Sequence, residues 1–327
     1  MASAVHFYDQ QPIASGARSM REEILEGLRA PQKYSSPKYL YDQRGSELFE
    51  LICQQPEYYP TRIEEGILAT MVDEIANLVG QNATLMELGS GASRKVRLLL
   101  ECLQITSYLG IDISRDFLLE STRKLAEDYP WLEVHAACAD FCQRLRLPRN
   151  LNCERLVGFF PGSSIGNFEP SGAQAFLGGL HRTLPKGSGL LIGVDLLKDR
   201  ATLEAAYNDA AGVTAQFNLN LLHRLERELG ANLDPDRFSH KAVFNEELGR
   251  IEMHLVSTMA QVISVAGESF RFRAGETLHT ENSYKYSVAG FQAMARRAGF
   301  ASRAVWTDRQ QHFSVHYLER QGRRLNP

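Results

Sequence analysis

Between Gly80 and Leu197 short apolar runs alternate with amphipathic ones. The runs TLMEL, SYLGIDIS, LEVHAAC, RLVGFFPG and GLLIGVDLL are apolar on both faces and predict strands. Between them, KVRLLLECL, SRDFLLESTRKLAEDY and AQAFLGGLHRTL carry the three-to-four spacing of helices. That alternation predicts an α/β fold, a parallel sheet covered by helices on each side. After Leu197 the pattern changes: ATLEAAYNDAAGVTAQFNLNLLHRLERELG predicts one long helical region. HKAVFNEE, RIEMHLVSTMAQVISVAG and SFRFRAGETLHTENSY then predict an antiparallel sheet, and FQAMARRAGF, RAVWTD and HFSVHYLER a helix and a hairpin closing the far edge of the parallel sheet. Upstream of Gly80, SMREEILEGLRA and GSELFELICQQ predict helices, and EYYPTRIEEGILATMVDEIANLVG turns through Pro60 into another. Residues 1–17 are polar and weakly patterned, and a draped terminus is expected there. Two discontinuous domains follow: 62–197 with 285–327 as a Rossmann-like sheet domain, and 1–61 with 198–284 as an α+β lid.

Composition narrows the setting. Hydrophobic residues are 44% and charged residues 23% of the 327, ordinary for a globular enzyme. A net charge of −3 gives no general attraction to phosphate backbones or anionic lipid, so neither nucleic acid nor membrane is an expected partner. No apolar run approaches the roughly 18 residues of a membrane span, and the start lacks the basic and apolar regions of a secretory signal. The five cysteines are odd in number and show no CxxC spacing; reduced thiols in a cytoplasmic protein are expected. No paired ligand motif follows Cys138 and Cys142, and no metal is expected.

The strand TLMEL runs into Gly89-Ser90-Gly91, the first turn of the predicted sheet, where nucleotide-like ligands bind at the carboxyl ends of strands. Asp112 ends the next strand, where an acidic side chain binds ribose hydroxyls, and Asp140-Phe141 ends the third, a carboxylate and a ring suited to adenine. In a dinucleotide fingerprint the sixth position from Gly89 is glycine; here it is Arg94. S-adenosylmethionine carries no phosphate and does not need that third glycine. The plainer alternative is a helix-entry turn at Gly89–Gly91 with Asp112 as a cap. His279-Thr280-Glu281 lacks the P-C-x-x-C partner of zinc deaminases, and no G-x-S-x-G elbow marks a hydrolase.

PKYLYDQRGSELFELI, PEYYPTRIE, ELGSGASRK, FFPGSSIGNF, IEMHLVS and HTENSYKY together resemble the histidine-specific Nα-methyltransferases of ergothioneine biosynthesis, from about Tyr34 to Leu318. The resemblance implies a class I methyltransferase domain and S-adenosylmethionine as donor. It implies L-histidine as acceptor, trimethylhistidine (hercynine) as product, and a monomer. It implies cofactor contacts at Tyr41, Gly89, Gly91, Lys95, Asp112, Asp140 and Phe141. For the substrate it implies Asn167 and Tyr207 at the carboxylate, and Glu281 and Ser283 at the imidazole. Tyr58, Gly162 and Ser164 complete the surroundings of the amino group and ring, Ser164 standing where threonine is commoner. Met253 lines the same pocket or is a plain core methionine.

Methyl transfer from a sulfonium is an in-line displacement, so alignment and a neutral amine are the main requirements and no strong base is expected. Specificity is expected at Glu281, because a buried carboxylate rejects a ring that brings no N–H. Tyr58 offers either a cation–π wall for a growing ammonium or a hinge. Two alternatives stay open: methylation of tryptophan or another aromatic amino acid, and a non-catalytic S-adenosylmethionine-binding regulator.

Overall fold

The computed structural model of the chain describes residues 5–10, 18–143 and 145–322. The chain divides into two compact units: Met1–Gln11, Pro60–Leu197 and Lys285–Pro327 in one, Pro12–Tyr59 and Lys198–Tyr284 in the other.

The first unit is built on an eight-stranded sheet in the order His6–Asp9, Glu133–Cys138, Ile105–Asp112, Ala83–Leu88, Leu156–Phe160, Gly189–Asp195, Phe313–Arg320, Phe300–Thr307. The first six strands run parallel, and the last two join antiparallel as a hairpin. Every residue of Ala83–Leu88 and of Gly189–Asp195 is buried, which is why those runs are apolar throughout rather than alternating. Successive side chains enter two different cores. Met86, Phe160 and Ile192 pack on one face with Leu177 and Phe291; Leu85, Phe159 and Leu191 pack on the other with Val96 and Leu125. The strand order reverses between Ala83–Leu88 and Leu156–Phe160, and this reversal opens the crevice where ligands of such sheets bind.

His6–Asp9 is an edge strand pairing Glu133–Cys138 in this unit, not part of a terminus belonging to the lid. Its pattern is half-exposed and only four residues long, too short to show a period. Val5 and Phe7 pack on Leu118 and Ala136, and the Tyr8 hydroxyl lies 3.1 Å from His135 Nδ1. The rest of the stretch read as a draped terminus, residues 1–4 and 11–17, lies outside the described residues. The helix expected after Pro60 is two, Tyr59–Thr70 and Val72–Val79.

In the second unit a four-stranded sheet runs Lys33–Tyr34, Thr277–Tyr284, Arg250–Ser257, Phe238–Asn245, beside a ribbon of Gln261–Val265 and Glu268–Phe272. The helix Val213–Leu229 packs against Gln43–Ile52 and the sheet. The single long helix expected after Leu197 is broken into Arg200–Ala205 and Val213–Leu229. Asp209 causes the break, its carboxylate accepting from the backbone N–H of Val213 and of Thr214, each at 2.8 Å. Those bonds satisfy orphan donors of the second helix, as an N-terminal cap does. Among the described residues no helix is long and apolar enough to cross a membrane.

Candidate active site

In the first unit the chain leaves Ala83–Leu88 through Gly89, whose φ of +69° is open to glycine and strained for a side chain. Its N–H donates to the Ile111 carbonyl at 2.8 Å, holding the turn against the end of the neighbouring strand. A Cβ at Gly89 would stand 3.5 Å from the Phe141 ring, so an aromatic face lies directly beside the turn. Asp112 accepts from Gly91 N–H at 3.0 Å through Oδ2 and from Ser114 N–H at 2.9 Å through Oδ1. Each oxygen holds at least one backbone donor, and a carboxylate accepts up to about four hydrogen bonds, so capacity remains for a ribose hydroxyl. Burial pushes the Asp112 carboxyl up, against the backbone hydrogen bonds from Ser114 and Gly91. Ala139 N–H donates to the Asp112 carbonyl at 3.0 Å, which brings Asp140 and Phe141 to the same rim; Asp140 Oδ1 accepts from Cys142 N–H at 2.9 Å. Gly89, Gly91, Asp112, Asp140 and Phe141 thus gather at one turn. A ring, a two-oxygen acceptor and an open backbone suit an adenosine.

Lys95 reaches this region through a partner the sequence did not single out. Its Nζ lies 2.6 Å from Glu64 Oε2, which also accepts from Gly162 N–H at 2.8 Å. Glu64 is fully buried, and only glycine at 193 leaves room for it: a Cβ there would stand 1.9 Å from Glu64 Oε1. A buried carboxylate therefore ties the helix bearing Lys95 to the loop bearing Gly162 and Ser164. Ser163 Oγ accepts from Asp195 N–H at 2.8 Å, and Asn167 closes the short helix Ser164–Asn167 that follows. The Asp195 carboxylate pairs with Lys285 at 2.7 Å, both side chains essentially without solvent exposure. Beneath the turn Glu87 accepts from the Tyr108 hydroxyl at 2.6 Å, and burial raises its carboxyl to about 8. Glu87 had a legible signal, a charge inside the apolar run TLMEL; Glu64 did not, since TRIEE reads as an exposed helical face.

The second unit gathers the other expected residues. On Thr277–Tyr284, Glu281 stands directly opposite Met253 and Ser283 opposite Ile251, so all four project from one face. A register shift between His279 and Glu281 sets this alignment. Ser283 Oγ accepts from the Tyr207 hydroxyl at 2.7 Å, and the Tyr207 ring meets the Tyr58 ring edge-on at 6.1 Å. Burial raises the Tyr58 phenol well above its ordinary range, with Tyr207, Cys53, Tyr41 and Glu281 adding in the same direction. Glu281 is 8% exposed and Met253 2%. Tyr41, expected at the cofactor, belongs to this unit and packs against Phe49 at 5.7 Å and Phe217 at 5.3 Å. Gly162, Ser164 and Asn167, expected at the substrate, belong to the first unit.

A mainly parallel sheet closed by a reversed hairpin, with a glycine turn and an acidic residue ending the next strand, defines a Rossmann-like class I methyltransferase. Within that class the chain belongs to the family of histidine-specific, S-adenosylmethionine-dependent methyltransferases, whose model matches residues 20–320. It is 40% identical to the histidine N-alpha-methyltransferase of Mycolicibacterium smegmatis over 90% of this chain and 92% of that one. The Mycobacterium tuberculosis protein of the same name is 38% identical over 92% and 95% respectively. Ergothioneine biosynthesis protein 1 of Neurospora crassa is 35% identical over 82% of this chain, which spans 31% of that longer protein.

Proposed function

We propose that this enzyme transfers methyl groups from S-adenosylmethionine to the α-amino nitrogen of L-histidine, ending at trimethylhistidine (hercynine) in ergothioneine biosynthesis. The names of its relatives support the acceptor and the pathway. The observation that carries the reading in this chain is Glu281, a nearly buried carboxylate beside Met253 and two residues from Ser283. A histidine ring brings an N–H that such a carboxylate can accept; an indole brings a larger ring, and an aliphatic side chain brings no donor.

In this reading Gly89, Gly91, Lys95, Asp112, Asp140 and Phe141 hold the donor, which supplies an electrophilic methyl on a positively charged sulfur. Asp112 takes the ribose hydroxyls, and Phe141 lies against the adenine. Tyr41 lines the aromatic group of the second unit. Glu281 and Ser283 fix the imidazole; Tyr207, whose single O–H is given to Ser283 here, would have to turn it from Ser283 to serve the substrate carboxylate. The amine reacts through its lone pair, so each cycle breaks the sulfur–methyl bond, forms a nitrogen–methyl bond and releases any amine proton to water. The Tyr58 phenol remains neutral through the physiological range, since its acidity is suppressed. A neutral phenol is no base, and in this reading the ring serves as a wall for the final quaternary ammonium.

Mass spectrometry of reactions with S-adenosylmethionine and each of the twenty amino acids separately tests the reading. Accumulation of trimethylhistidine, with little product from tryptophan or tyrosine, is expected. Product from another amino acid with histidine inert overturns the acceptor; no turnover despite donor binding revives a regulator.

A further inference from the structure

The sheet of the second unit has two faces, and the substrate reading uses one. On the other, Glu252, His254 and His279 come together. Glu252 and His254 are two apart on Arg250–Ser257 and so share a face, and His279 pairs directly with His254 across the ladder. The two imidazoles stack, centroids 4.6 Å apart and planes 24° from parallel. Glu252 Oε2 lies 3.1 Å from His254 Nε2. One ligand atom from each of the three falls within 4.8 Å of the others.

We propose that Glu252, His254 and His279 form a binding site for a divalent transition-metal ion of zinc type, on the face of the sheet opposite Glu281. Two imidazoles and a carboxylate are a ligand set zinc accepts, with water completing the coordination. Two ligands on a tetrahedral zinc at about 2.05 Å are about 3.3 Å apart, and the Glu252–His254 pair already stands at nearly that separation. The His279 ligand atom lies within 4.8 Å of the other two and would have to move closer to close the triangle.

Two of the three residues are held from outside as ligands are, while His254 Nδ1 is buried without a hydrogen-bond partner. Metal-bound histidines commonly donate their second ring N–H to a carbonyl, which fixes the tautomer. His279 Nε2 lies 3.1 Å from the Glu281 carbonyl oxygen, so donation there puts the ring's lone pair on Nδ1; the Asn282 side chain also hydrogen-bonds this imidazole, and an ion would compete with it. Glu252 is likewise held by its other oxygen: Oε1 accepts from Arg250 Nε at 2.8 Å and Asn245 Nδ2 at 3.0 Å, leaving Oε2 toward the histidines. The Arg250 guanidinium, and Lys241 opposite His254 on the neighbouring strand, reduce the attraction for a dication. The site is therefore expected to be of micromolar rather than nanomolar affinity. An ion here would join the two strands at the register shift from which Glu281 projects.

The test is titration of chelator-treated full-length protein with Zn²⁺ by calorimetry, and with Co²⁺ by absorption. One ion per chain is expected, with affinity falling at least about tenfold in His279→Gln and in Glu252→Gln. His223→Gln, at an exposed histidine, should bind as wild type does. The cobalt spectrum should show d–d bands of a nitrogen–oxygen site without thiolate charge transfer. Undiminished binding in both variants, a thiolate band placing the ion at cysteine, or no saturable binding to about 100 μM overturns the site. Should a variant fail to fold by circular dichroism, the wild-type cobalt spectrum and stoichiometry decide.

Discussion

Glu281 concentrates the acceptor question in one carboxylate. It is 8% exposed and faces Met253, so a substrate N–H donating to it does so with little competition from water. A hydrogen bond to a charged group contributes about 1.5–3 kcal/mol, which corresponds to roughly ten- to hundredfold in affinity. Glu281→Gln is therefore expected to raise the histidine KM by about that factor while leaving S-adenosylmethionine affinity unchanged. Steady-state kinetics with calorimetric donor binding check it; an unchanged KM shows that another residue reads the ring. At this scale the sequence was legible where a motif forces geometry. Gly89, Gly91 and Asp112 meet as their positions around a first strand–helix turn require. It was not legible where distant residues meet through packing. Glu64 reaches Lys95 and Gly162 only because strand Gly189–Asp195 offers a glycine beneath it, and no local pattern states that.

Elements show the same division. Strands buried on both faces advertised themselves as continuous apolar runs, whereas the edge strand His6–Asp9 has too few residues and too little burial for a period. The break between Arg200–Ala205 and Val213–Leu229 rests on the Asp209 carboxylate; aspartate favours caps over helix interiors, but the sequence does not say which backbone donors it will cap. The end of strand Gly189–Asp195 is fastened by another pairing invisible in one dimension, Asp195 with Lys285 at 2.7 Å. Tyr286 N–H also donates to the Asp195 carbonyl at 3.1 Å. Removing one partner of so buried a pair strands the other charge and costs about 3–5 kcal/mol, while replacing both with apolar groups is often neutral. Lys285→Met is thus expected to lower the urea midpoint strongly, and Asp195→Leu with Lys285→Met to recover much of the loss. Equal destabilisation by the single and double variants would show that the hydrogen bonds around Asp195, not the charge pair, hold the strand end.

For the whole molecule, two buried groups of the first unit give opposite dependences on pH. Glu87 in the fold has its carboxyl raised by burial to about 8, from an ordinary 4.5. The stability it contributes is complete below pH 4.5 and is lost as pH rises through 8, because the unfolded chain ionises first. His316 is the reverse case: burial lowers its imidazole from 6.5 to about 4. Its contribution is complete above pH 6.5 and is lost as pH falls through 4, where the unfolded chain takes up the proton first. A one-proton difference gives a slope of at most about 1.4 kcal/mol per pH unit. The protein supplies its own reporter, since both tryptophans, Trp131 and Trp306, lie in the first unit and their fluorescence follows that unit's unfolding. Urea midpoints by tryptophan emission should therefore fall less between pH 5 and 8 in Glu87→Gln than in wild type. Between pH 6.5 and 4.5 they should fall less in His316→Asn, whatever each substitution costs at a single pH. A wild-type and Glu87→Gln pair with parallel profiles would mean that Glu87 ionises in the fold near its ordinary value. The buried Tyr108 bond and the nearby Lys95 charge would then outweigh the burial that raises it.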